Sequence, residues 1–205
     1  MEHITTHQNE PCGGMTGLPT IDRWVGDGPR RGLVTIATPD DAELMDYLKA
    51  TVCMGPLGRR SHLRQIYCSG EFHTQGVDEV IRTIKLSRNV GVRVFLLHRF
   101  MGLKPSQGQC VEHMCSQMHR LALELDVVLV LAVRCARPAP GERPTLGMMR
   151  GPESLDWLSA MVLACWRPPI EVAGVARVAL LRNKHGSFGQ CVRVVCGDGG
   201  LVEVA

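Results

Sequence analysis

No stretch of the 205-residue chain is apolar over anything near the roughly 18 residues a membrane-spanning helix requires. The first 14 residues are polar and hold no apolar segment of the kind that marks a secretory signal. A soluble, cytoplasmic protein is expected. There is no Cys-x-x-Cys pair, and the nine cysteines are odd in number, with Cys53, Cys165 and Cys196 inside apolar stretches. Buried free thiols in a reducing compartment explain that pattern better than a disulfide framework. Lysine is nearly missing: of 23 basic residues only Lys49, Lys85, Lys104 and Lys184 are lysines. Arginine forks grip phosphates, so the bias is compatible with nucleic acid, and equally with a GC-rich genome. A net charge of +3 does not decide between them. Internal repeats and low-complexity linkers are absent as well.

What is present is ordinary for a folded domain. Hydrophobic residues make up 45% and charged residues 21%, which argues against disorder and provides for one sizeable core. Residues 1–14 read as a flexible tail and 15–205 as a single domain. A turn and short helix through Trp24 precede the β-branched run Leu33–Ala37, which has the form of a buried parallel strand. Pro39 ends that run, and Asp40-Asp41-Ala42-Glu43 opens a helix to about Met54 with acidic residues in its first turn. Further strands are expected near Arg64–Cys68, at Val92–Leu97, Val127–Val133 and Ala160–Trp166. Helices are expected at Val77–Arg88 and 110–125, where Val111, Met114, Met118, Leu121 and Leu125 recur at spacings of three and four. Ser154–Leu158 reads as a helical turn. The last third is expected to end in two strands, Ala176–Leu181 and Cys191–Val195. Strand–helix alternation with a terminal hairpin predicts an α/β fold: a mostly parallel sheet flanked by helices, with a C-terminal antiparallel hairpin.

The order of landmarks resembles the RecA-like motor domain of DnaB-type replicative helicases over residues 15–205. Gly17–Arg23 resembles the family's TG-xxx-LD opening segment. Leu33–Pro39 is similar to the strand before its phosphate loop, and Val92–Leu103 to its Walker B strand and following loop. Arg120–Val127 resembles the LA-x-EL-x-V junction, Arg143–Asp156 the RP-x-L…LRESG stretch, and Arg182–Gly189 the KxRxGxxG hairpin that carries an arginine finger. RadA-type recombination ATPases share the opening segment and final hairpin but lack the Arg143–Asp156 stretch.

The resemblance makes the missing chemistry visible. A phosphate loop cradles phosphates on backbone N–H groups, with a lysine on the γ-phosphate and a Ser/Thr on Mg²⁺. Aligned without a gap, Ala42 stands at the second glycine, Glu43 at the lysine and Leu44 at the magnesium-binding threonine. The chain has no Gly-Lys dipeptide. Asp40, Asp41 and Glu43 are carboxylates where a polyanion would bind. Two like charges 4 Å apart repel by roughly 4 kcal/mol at a surface-like dielectric, against about 1 kcal/mol of helix-dipole attraction. The Walker B aspartate falls at His98, the sensor glutamine near Val133, and the stretch with the catalytic glutamate is missing between Met54 and Gln65. The expectation is a pseudo-ATPase with no cofactor, no metal and no catalytic residue.

At the hairpin, Arg182 and Lys184 match the two basic positions that reach a neighbouring subunit's nucleotide, with Lys184 at the finger. The alternative is a solvated basic turn. By the same resemblance, Lys104, Gln107, Arg150 and Gly151 occupy the loops that single-stranded DNA passes, and Arg137 and Arg143 add phosphate-binding capacity. Surface arginines without a ligand are the alternative there. Cys110, His113, Cys115 and His119 fall on different helix stripes and make a poor zinc site. Cys68, Glu71 and His73 read as loop residues, and His98-Arg99 as filler at a strand end. The resemblance implies a non-catalytic, nucleoid-associated (in a eukaryote, nuclear) protein that modulates DNA replication. It would bind a replicative helicase or RecA-like partner, single- or double-stranded DNA, or another copy of itself. A recombination or repair accessory of the RecA/RadA type is the competing function.

Overall fold

The aliphatic runs lie side by side in one eight-stranded sheet in a computed structural model, which describes residues 18–25, 31–39, 42–54, 62–67, 76–169, 171, 174–184, 186–197 and 200–204. The strands are β1 (Gly32–Thr38), β2 (His62–Tyr67), β3 (Val92–His98), β4 (Val128–Arg134), β5 (Ser159–Trp166), β6 (Val175–Asn183), β7 (Cys191–Gly197) and β8 (Gly200–Glu203). Their order is β2-β3-β4-β1-β5-β6-β7-β8. The first five pair in parallel and the last three join antiparallel. β1 is central, and every residue of it is buried. That is the environment a continuous β-branched run requires, since a strand covered on both faces has no polar side.

Side-chain alternation along β1 divides the interior in two. Leu33 and Ala37 face a core closed by α3 (Val77–Asn89), α4 (Val111–Glu124) and α5 (Ser154–Leu158). Val34 and Ile36 face a second core closed by α1 (Pro19–Val25) and α2 (Ala42–Met54), with inward residues of β6, β7 and β8. α3 and α4 are amphipathic in the way their spacing predicts, burying Val80 and Ile84 on one and Met114, Met118 and Leu121 on the other. Among the described residues no helix is long and apolar enough to cross a membrane.

The mostly parallel sheet with an antiparallel C-terminal end matches the expected fold class. The expected two-strand ending is corrected by β8, a third antiparallel strand. Gly197 pairs with Gly200, so Asp198-Gly199 stands between two strands, a dipeptide that favours tight hairpins. β8 also ties down both helices of the second core. Thr51 Oγ1 on α2 accepts the Leu201 N–H. The Glu203 carboxylate accepts the Thr20 N–H at the start of α1, at 2.9 and 3.1 Å. A helix start leaves such N–H groups without intrahelical partners, and here one is satisfied from 183 residues away. The tail 1–14, the beginning of the Gly17–Arg23 segment, Asp40, Asp41, and the residues Cys68, Glu71 and His73 lie outside the described residues.

Candidate functional site

Crossover helices deliver loops to the C-terminal ends of parallel strands, so chemistry in such sheets collects there. β1 ends at Thr38, and α2 begins at Ala42 and Glu43, both exposed. Leu44, which the resemblance sets at the magnesium-binding threonine's place, is fully buried in the second core. It anchors α2 and offers no oxygen to a metal. Glu43, which the resemblance sets at the lysine's place, is ion-paired with Arg167 beyond β5, Nη2 to Oε2 at 3.0 Å. The Tyr47 hydroxyl also donates to Glu43, and that carboxylate is the main reason the phenol's pKa is raised. Glu43 is thus partly neutralised within its own chain, and its contribution to repelling an anion is weaker than the sequence alone suggests.

His98 ends β3 at 5% exposure. Burial pushes its imidazole down to about 4, helped by the Lys49 ammonium and opposed by Asp46. It is neutral at pH 7 and supplies no carboxylate at this strand end. The next residue, Arg99, takes the left-handed backbone conformation (φ 51°, ψ 42°), and its carbonyl accepts the Gly102 N–H at 2.7 Å. Val133, near which the resemblance sets the sensor glutamine, is buried. These strand ends frame a cleft of about 640 Å³ whose rim carries Lys49, Arg99, Arg134 and Arg150, with Asp46 as its acidic member among the described residues. Sequence reasoning missed three of those cations and took His98-Arg99 for filler. The available signal was the basic residue directly after two aliphatic strands, Arg99 after β3 and Arg134 at the end of β4.

The DNA-facing candidates separate in space. Arg150 lines the cleft, and its N–H donates to the Arg134 carbonyl at 2.8 Å. Arg143 Nη1 donates to the Gly189 carbonyl at 2.7 Å, so it fastens the loop after β4 to the final hairpin. Arg137 is exposed in that loop. Lys104 is exposed too, while its carbonyl accepts the first N–H of α3, Val77, at 3.0 Å.

At the hairpin, Arg182 pairs in register with Val162 and the Lys184 N–H donates to the Ala160 carbonyl. Lys184 lies at the level of the beginning of β1 and Arg182 at that of its middle, since Leu33 pairs with Ser159 and Thr35 with Val162. The basic pair therefore sits away from the chain's own cleft. Lys184 Nζ donates to the Leu158 carbonyl at 3.2 Å, and burial with the Arg182 charge lowers its pKa. Arg182 Nε is buried with no hydrogen-bond partner among the described residues. On α4, Cys115 is buried, with its thiol pushed up to about 12, while His113 is exposed and Cys110 lies exposed just before the helix. The helix turns these groups apart.

This arrangement has structural counterparts. The chain is similar to the solved ATPase domain of a DnaB-like helicase with a TM-score of 0.80 at 14% sequence identity, over 98% of this chain and 94% of that one. The fold is RecA-like, of the DnaB type. A second similar structure, of a DnaB-like replicative helicase and its interactions with primase, gives a TM-score of 0.77 at 14% identity, over 98% of this chain and 64% of that one. The chain thus spans less than two thirds of that helicase. No family model matches the sequence, and no curated protein matches it either. At this identity the likeness extends to the DnaB-type fold alone.

Proposed function

We propose that the chain is a catalytically inactive, DnaB-like protein that modulates DNA replication by binding a replicative helicase, DNA or both. One observation carries the inactivity: the residues at the nucleotide-handling positions are engaged in other work. Leu44 is a core residue, Glu43 is ion-paired with Arg167, and His98 is buried and neutral. Phosphoryl transfer in this kind of site depends on a lysine and a metal held by a hydroxyl and a carboxylate. None of the three positions retains its group.

A binding role is supported by what remains exposed. Trp157 on α5 and Phe188 at the final hairpin are 57% and 67% exposed. Lys184 joins the hairpin to the carbonyl of Leu158, next to Trp157, so both aromatics belong to one end of the molecule. Exposed large aromatics are typical anchors of protein interfaces. The similar helicase structure concerns interactions with primase, which makes helicase-family proteins the first partners to test. Lys104, Arg137, Arg143 and Arg150 are all exposed candidates for DNA phosphate.

The test uses the purified chain and the replicative helicase of the same cell. Association is measured by light scattering, and ATP hydrolysis by the chain alone is measured with Mg²⁺ present. We expect a complex weakened at least tenfold by Trp157→Ala/Phe188→Ala, and hydrolysis by the chain at the buffer rate. Turnover above that rate overturns the inactivity. No complex, together with no salt-dependent retention of single-stranded DNA, overturns the binding role.

A further inference from the structure

At the end of β6 two positive charges are held with little to balance them. Arg182 pairs in register with Val162, which alternates with Ala164 and so shares its side of the sheet, the side closed by α4 and α5. Arg182 Nε is buried there and has no hydrogen-bond partner among the described residues. Taking a guanidinium N–H out of water without giving it an acceptor forfeits its hydration. Asp156 on α5 feels the Arg182 charge, yet burial outweighs that attraction and leaves its carboxyl raised. A closed ion pair would have lowered it. The Lys184 ammonium spends its charge on a neutral acceptor, the Leu158 carbonyl at 3.2 Å. His119 on α4, lowered by burial and by Lys184, also has a buried Nδ1 without a hydrogen-bond partner among the described residues.

The surroundings say what kind of anion fits. Asp156 and the exposed Glu153 stand beside this corner, and Glu153 raises Asp156 further. A nucleic acid strand laid across it brings successive phosphates against those two carboxylates, whereas a single carboxylate needs to meet Arg182 and Lys184 alone. His185, next to Lys184, lies outside the described residues and brings no negative charge. Two exposed aromatics flank the basic pair. Trp157 stands between Asp156 and Leu158, the α5 residues that Arg182 and Lys184 address. Phe188 follows Ser187, whose carbonyl accepts the Asn183 side-chain amide at 3.3 Å and so closes the turn around Lys184. Apolar area around one directed polar contact is the make-up of a protein interface.

We propose that this corner receives a carboxylate from a partner protein: an aspartate or glutamate flanked by apolar side chains, its carboxylate across Arg182 and Lys184 and its apolar neighbours against Trp157 and Phe188. Arg182 is half-buried and its charge is spread over the whole guanidinium, so a carboxylate on the exposed side neutralises it without having to reach Nε. The new bonds are charge-assisted, roughly twice as strong as the bond Lys184 now makes to a neutral carbonyl. The proposal rests on the partner-binding reading above and supplies the chemistry of the contact.

The experiment is NMR titration of the whole chain with a peptide in which glutamates alternate with leucine and phenylalanine, with its glutamine counterpart, and with a short thymidine oligonucleotide. The signals followed are the Arg182 Nε–H and the Trp157 indole N–H. We expect the glutamate peptide to move both and the glutamine peptide to bind at least tenfold more weakly. Arg182→Gln and Lys184→Gln, checked by thermal melting, are each expected to weaken the glutamate peptide at least tenfold. Lys184 is exposed, so its variant carries the test if Arg182→Gln does not fold. Lys85→Ala, on the exposed face of α3, leaves binding unchanged. Excess glutamate peptide is also expected to dissociate the complex with the replicative helicase. If the peptide binds and no helicase complex forms, the helicase reading fails and the docking site stands. If that complex forms and survives both the peptide and Lys184→Gln, the helicase reading stands and the docking site is overturned. The site is equally overturned if neither peptide moves the Arg182 signal, if both bind alike, if a folded variant binds as the wild type does, or if the oligonucleotide binds more tightly than the glutamate peptide.

Discussion

Acidification tests the environment of His98. The imidazole has a pKa of about 4 in the folded chain against 6.5 when free, because burial disfavours its charged form and Lys49 adds repulsion. The native state therefore resists protonation while the unfolded chain accepts it. The stabilisation from keeping His98 neutral is fully present above pH 6.5 and is lost as the pH falls from there toward 4. From these two values the loss reaches about 2 kcal/mol by pH 5, and its limit is about 3 kcal/mol. With a urea dependence of about 2 kcal/mol/M, the unfolding midpoint moves down by about 1 M between pH 7 and 5 through this group alone. Other groups titrate nearby. His119, lowered by burial and Lys184, adds loss as the pH falls below its free value, Glu171, lowered mainly by its Arg177 hydrogen bond, adds loss at lower pH, and Asp156, raised by burial, acts oppositely. The informative quantity is the difference between wild type and His98→Gln, unfolded in urea at pH 7 and 5 in parallel. The variant should lose about 2 kcal/mol less on acidification. Equal losses in the two proteins would refute the reasoning, whatever their absolute stabilities.

Gly200→Ala places a Cβ 2.6 Å from Thr51 Oγ1 and 2.8 Å from Thr51 N, at a φ of +115° that disfavours alanine. A loss of about 3 kcal/mol in urea unfolding is expected. Glu203→Ala removes the acceptor at the start of α1 and should cost about 1 kcal/mol, with Glu203→Gln recovering part of it in the same assay. Arg143→Ala should change stability by less than about 1 kcal/mol because its bond to Gly189 is exposed, yet quicken amide exchange around the final hairpin. Glu43→Lys breaks the pair with Arg167 and should still give no ATP turnover in a phosphate-release assay, since Leu44 and His98 remain as they are.

The parallel half of the sheet was legible because its strands are unbroken aliphatic runs that need two covered faces, as at Val128–Val133, and because α3 and α4 carry clear helical spacing. β8 escaped because four residues give too little alternation to read; only the Asp198-Gly199 dipeptide signalled it. At the site, the resemblance pointed to Glu43, Leu44 and His98, but not to the contacts that these side chains make. The Glu43–Arg167 pair spans 124 residues, and no local pattern announces it. The cationic cleft was hidden for the same reason. Lys49, Arg99, Arg134 and Arg150 are far apart in sequence and converge only when β4 is inserted between β3 and β1.

The bond from Glu203 to Thr20 has a consequence for how the chain is made. Synthesis runs from the first residue to the last, so α1 and α2 emerge well before the strand that fastens them. Their side of the sheet must wait, with Ile21, Leu44 and Leu48 unsealed, until residues 200–203 leave the ribosome. The fully buried residues of the opposite side end at Ala164 in β5, with Leu181 of β6 packed partly against them, so that side can close earlier. A translational pause or premature stop before Gly200 thus exposes one oily face and leaves the other intact, a half-finished product well suited to recognition by chaperones and proteases.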